Sequence, residues 1–150
     1  MNAKLLRLGL AITLAVSLLV LTGGSALAGE RLVDEKAEIT LMPKMEGSTA
    51  TGDAKLLLRI DEEGMLERFR ATVDAEGLVA DGTYSLAIKH HILATEVADA
   101  DGRVSFDVTF EDMVAHKDTL VGLKVKIIYG TTLDAPVVLF GKVTEADILD

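Results

Sequence analysis

From Ala37 onward, apolar residues recur at every second position and almost nowhere at the helical spacing of three to four. Ala37, Ile39 and Leu41 alternate with Glu38 and Thr40; Phe69, Ala71 and Val73 with Arg68, Arg70, Thr72 and Asp74. Tyr84, Leu86 and Ile88 follow, then Val104, Phe106, Val108 and Phe110, then Leu123, Val125, Ile127 and Tyr129, the last set interleaved with Lys124 and Lys126. Successive side chains of a strand point to opposite sides, so such segments bury their apolar half only as members of a sheet. Residues 54–60 and 137–143 are more continuously apolar and complete the series. The spacing predicts an all-β fold, an antiparallel, Greek-key-like β-sandwich of seven or eight strands. Its expected core is Phe69, Val73, Leu86, Ile88, Phe106, Val108, Val125 and Ile127.

Between these runs stand Glu63-Gly64, Glu76-Gly77, Asp81-Gly82, Asp101-Gly102 and Tyr129-Gly130, where tight reversals require left-handed backbone. Residues 113–120 are less regular and read as a longer crossing loop with a helical turn. Asp61-x-x-Gly64 and Asp99-x-x-Gly102 open two similar stretches, a weak internal repeat that common turn chemistry explains. The inward set sits at even positions in residues 84–88 and at odd positions in residues 93–97, so the chain must reverse or bulge in between. That places Lys89, His90 and His91 in or beside a hairpin turn.

Ahead of the strands, Lys4 and Arg7 precede an uncharged apolar run over residues 8–21 and then Thr22-Gly23-Gly24-Ser25-Ala26-Leu27-Ala28. This is the layout of a secretory signal peptide, whose helix is shorter than the ~20 residues that span a bilayer. Small residues at Ala26 and Ala28 suit signal peptidase, so residues 1–28 are expected to be removed after Ala28. Residues 29–150 would then form a single domain, secreted or periplasmic, with no stable membrane insertion. No Cys follows the apolar run to carry a lipid. Removal of residues 1–28 takes away two positive charges and no negative ones, moving the formal net charge from −9 to −11.

That charge argues against nucleic acid, and against an anionic membrane held by phosphate contacts, since both need a basic face. The absence of Cys excludes disulfides, thiolate metal sites and thiol nucleophiles. The three histidines, His90, His91 and His116, are the candidate metal ligands, enough for zinc or copper with water in an open position. No H-x-H or H-x-x-x-H spacing binds them together. Asp99-Ala100-Asp101-Gly102 begins like a calcium loop, but Arg103-Val104-Ser105-Phe106 already reads as strand, which favours a plain acidic turn. Met42-Pro43-Lys44-Met45 offers two thioethers for Cu(I), with core or loop packing the stronger reading. Ser48, Ser85 and Ser105 stand in no G-x-S-x-G elbow, and no glycine-rich phosphate loop opens a helix. With two Tyr, four Phe and no Trp, an aromatic-lined sugar cleft is hard to build. The expectation is a protein with no catalytic residues and no cofactor, acting on an unknown protein or envelope partner. The alternatives are a periplasmic metal-binding protein using His90, His91 and His116, and a hydrolase using acidic loop residues.

Ala50-Thr51-Gly52-Asp53-Ala54, continued by Lys55-Leu56-Leu57-Leu58-Arg59-Ile60-Asp61 and by the alternation over residues 66–73, resembles the opening of secreted CHRD-type β-sandwich domains. The resemblance implies a sandwich and life outside the cytoplasm. It carries over no metal ligands. Where that family has an A-H-I-H element this chain has Gly82-Thr83-Tyr84-Ser85-Leu86, and the G-F-H-x-H motif of copper–zinc superoxide dismutases, which share the sandwich form, is missing.

Overall fold

The computed structural model describes residues 31–110, 113–114 and 119–149. The signal-peptide expectation with its cleavage after Ala28, and His116, fall outside these residues. Eight strands of six to thirteen residues carry the fold. They are β1 (Arg31–Pro43), β2 (Thr51–Asp61), β3 (Met65–Glu76), β4 (Thr83–Ile88), β5 (His91–Val97), β6 (Val104–Phe110), β8 (Lys124–Tyr129) and β9 (Val137–Lys142). Two-residue strands β7 (Met113–Val114) and β10 (Ile148–Leu149) lie against β3 and β1. All pairings are antiparallel, in the order β5-β4-β8-β9-β1-β2-β3-β6, and the end strands β5 and β6 approach each other, so the sheet is nearly closed into a barrel. Strand β1 belongs to both sides: residues up to Leu41 pair with β2, whereas Met42 and Pro43 face Phe140 and Leu139 of β9.

One apolar cluster fills the interior, fed by both sides. Val73 and Phe106 of the β1–β2–β3–β6 side meet Leu86, Ile88, Val125 and Ile127 of the β5–β4–β8–β9 side within it. Phe69 and Val108 are half-buried against it, on the two strands nearest one end of the order. The alternation thus faces as read. The Ala-x-Gly-x-Ala stretch has a steric reason. A Cβ on Gly52 would stand 2.9 Å from the Asp74 carbonyl oxygen and 3.3 Å from Leu139 on the opposite side. Ala50 and Ala54 flank it fully buried, so small residues let the two sides close together here.

The β4–β5 hairpin turns on Lys89 and His90, with Lys89 at φ 56°, as the phase change demanded. The odd-position inward set expected for β5 is corrected by the structure. Leu86 pairs with Ala94 but Ala87 with Ile92, which leaves Leu93 as an extra residue. Such a bulge flips every later side chain. Leu93 and Ala94 both pack on the core, Thr95 turns outward to bond Ser85 at 2.8 Å, and Val97 is exposed. Of the crossing loop with a helical turn expected over residues 113–120, only 113–114 and 119–120 are among the described residues. Met113 and Val114 pair as a strand with Leu66 and Met65, and the Glu35 carboxylate accepts hydrogen bonds from the Thr119 hydroxyl (2.9 Å) and the Leu120 N–H (2.7 Å).

The two Asp-x-x-Gly turns are the same device in different surroundings. In each, the Asp Oδ1 accepts from the N–H groups two and four residues on, and the Gly takes a left-handed φ, 77° at Gly64 and 73° at Gly102. The first joins neighbours β2 and β3; the second carries the chain from β5 to β6, at opposite ends of the strand order. The likeness of the two stretches is therefore turn chemistry. After β9, Thr144 donates through N–H and hydroxyl to Asp147 (2.7 and 2.6 Å), which holds that carboxyl below the usual range and fixes the short turn that delivers Ile148 to Ala37.

Candidate functional site

His90 and His91 are exposed at the β4–β5 turn. His90 stands in the turn and His91 opens β5, and among the described residues no hydrogen bond holds either ring. No group of three or more His, Cys, Asp or Glu close enough to hold a metal occurs among the described residues. A ligand set whose rings are free to rotate binds weakly, because fixing them costs entropy that a second hydrogen bond would otherwise have settled. Calorimetry with zinc and copper is expected to show weak, non-selective binding. Sub-micromolar affinity abolished by His90→Ala/His91→Ala would instead make metal handling the leading function.

The outer surface of the β1–β2–β3–β6 side carries mixed charges, several of them paired across the strands. Arg70 donates twice to Asp107 (3.0 and 2.7 Å), and that hydrogen bonding holds the Asp107 carboxyl below the usual carboxylate range. Arg59 reaches Asp34 at 3.3 Å and Lys55 reaches Glu38 at 3.6 Å. At one end of this surface lies an open groove of about 440 Å³ lined by Asp53, Asp74, Glu76, Asp99, Arg103 and Ser105 among others. Asp53 and Asp74 are cross-strand partners, so their side chains stand next to each other. Each is already engaged, Asp53 by the Thr40 hydroxyl (3.2 Å) and Asp74 by the Ser105 hydroxyl (2.6 Å), while Asp99 is spent on its own turn. Among the described residues no aromatic side chain lines the groove.

The outer surface of the β5–β4–β8–β9 side differs in kind. Leu86, Ile88, Val125 and Ile127 point inward, so their neighbours face out. One row across the strands reads Ile92, Ala87, Lys126, Phe140 and, from β1, Met42. The next row sets Lys124 directly opposite Lys142, with the Lys89 N–H donating to the Lys124 carbonyl at 3.4 Å. On the other flank Ser85 and Ile128 are partners, and the Ser85 hydroxyl also reaches the Gly130 carbonyl at 2.7 Å. Ala87 and Ile128 are fully buried and lie outside the central cluster. Met42 is 62% exposed and the Lys44 ammonium lies 5.2 Å from the centre of the Phe140 ring. Among the described residues no carboxylate occupies an outward strand position on this side, and none pairs with Lys44, Lys124, Lys126 or Lys142. Two lysines directly opposite repel each other, and no carboxylate among the described residues pairs with either.

Sequence reasoning reached Lys124 and Lys126 only as the polar half of a strand. Their company with Lys142 and Lys44 depends on the β8–β9 and β9–β1 pairings, which no local pattern encodes. Among the described residues no helix is long and apolar enough to cross a membrane. Compared with known proteins, the chain matches no protein family and no curated sequence.

Proposed function

We propose that this chain is a non-catalytic interaction module of the β-sandwich type, acting in the cell envelope or outside the cell, whose binding surface is the outer face of β5, β4, β8 and β9. The observation that carries this reading is the contrast between the two outer faces. Arg70, Arg59 and Lys55 on the β1–β2–β3–β6 side each meet a carboxylate, whereas no carboxylate among the described residues pairs with Lys44, Lys124, Lys126 or Lys142 around exposed Met42 and half-buried Phe140. Unpaired like charges beside exposed apolar area are costly for a lone domain and become favourable when a complementary surface covers them. The sandwich reading is supported by two four-stranded sides sharing one core and joined by β1. Export rests on the signal-peptide layout of residues 1–28.

Amine-reactive footprinting tests the surface directly. In exporting cells, compared with purified protein, Lys124, Lys126 and Lys142 are expected to be protected several-fold, with Lys36 and Lys55 on the other side labelled equally in both. Uniform labelling of all five would refute the reading.

A further inference from the structure

The basic face belongs to a chain with a formal net charge of −9, so its lysines are segregated from the carboxylates rather than diluted among them. Net charge is an average over faces, and it is the local potential that a partner meets. We propose that this face adsorbs to an anionic lipid surface, with Met42 and Phe140 set among the headgroups and Lys44, Lys124, Lys126 and Lys142 against the lipid phosphates. The inference rests on the reading of this face as the binding surface and names what covers it.

The charged residues separate a lipid from a protein. Faces that dock proteins are enriched in aromatic residues, Met and Arg and depleted in Lys. Met42 and Phe140 suit either partner, but among the described residues every charged outward strand position here is a lysine and none is an Arg. A lysine carries a compact, strongly hydrated charge on a long apolar stem, which lies along apolar surface while its head stays in water. Lys44 over Phe140 and half-buried Lys126 between Ala87 and Phe140 have that arrangement. It suits the boundary between headgroups and acyl chains, where charge and apolar contact act together. The paired charges of β1, β2, β3 and β6, and the groove with Asp53, Asp74 and Glu76, stand on the other side of the sheet order. An anionic surface repels that acidic end and attracts the lysine face, which orients the domain.

Each lysine near such a surface strengthens binding roughly five-fold, an effect that salt screens within a Debye length. Vesicle co-sedimentation of the chain recovered from an exporting host therefore makes the test, with phosphatidylcholine alone or mixed with phosphatidylglycerol. Binding is expected only to the mixed vesicles and falls as salt rises. The triple variant Lys124→Gln/Lys126→Gln/Lys142→Gln should lose about 100-fold in affinity, while Lys36→Gln/Lys55→Gln binds as the parent does. Met42→Ser should weaken binding several-fold without altering the salt dependence, which a change in folding would not produce. Equal binding to both vesicle types, no binding to either, or an unaffected triple variant overturns the proposal. Tight binding of polyglutamate without vesicle binding also overturns it and assigns the face to an acidic polypeptide. If lysine protection in cells persists in that case, the face is still the binding surface and only the lipid is excluded; loss of both results removes both readings.

Discussion

Phe106→Ala lowers stability by about 3–5 kcal/mol, seen as a fall in the denaturation midpoint with little change in slope. Phe106 is 1% exposed and is among the largest fully buried side chains of the protein. It sits opposite Val73, itself completely buried, and its inward neighbours along β6 are Val104 and Val108. These are β-branched residues with few rotamers, fixed to strands that are hydrogen-bonded in register, so they cannot swing in to fill the space left by the ring. An unaltered midpoint would mean that β6 turns its other face to the core, and with it Ser105 and Asp107.

Gly102→Ala is the second large effect, and Gly64→Ala is its control. Both glycines have left-handed φ and close the same Asp-x-x-Gly turn. At Gly64 a Cβ would meet nothing within 4 Å, so alanine costs only the left-handed strain of ~1–2 kcal/mol. At Gly102 a Cβ would fall 2.2 Å from the Leu78 carbonyl oxygen, and that backbone is held in place because the Leu78 N–H donates to the Gly102 carbonyl at 3.0 Å. Overpacking against backbone adds ~1–3 kcal/mol, so the Gly102 variant is expected to lose on the order of 2–5 kcal/mol in total. Midpoints measured side by side check this. Equal losses at the two sites would show that residues 77–82 do not press on the Asp99 turn.

Period-two alternation is a local property, which is why Val73, Leu86, Phe106 and Ile127 could be placed in the core from their neighbours alone. What decides the rest is pairing between distant segments. Thr95 and Val97 looked inward-facing because β5 was read by itself; the extra residue Leu93 exists only relative to β4. Gly52 was visible as part of a motif, but its reason, the approach of Leu139, comes from a strand far along the chain. The lysine face was hidden twice over. Lys44, Lys124 and Lys142 come together through β1, β8 and β9, and summing charge over the whole chain replaced a sign difference between faces by a single negative number. The histidines were the opposite case, conspicuous in the sequence and exposed on a turn in the fold.

Strand β1 ties the timing of folding to the far end of the chain. Its last residues, Met42 and Pro43, find their partners only in Phe140 and Leu139. A ribosome delivers β1 early and β9 late, so for most of synthesis the flank of β1 that β9 will cover has nothing to pair with. Closing so long a loop is slow, and the contacts that reward it come last. The sheet consequently cannot close around its core until the chain is nearly finished.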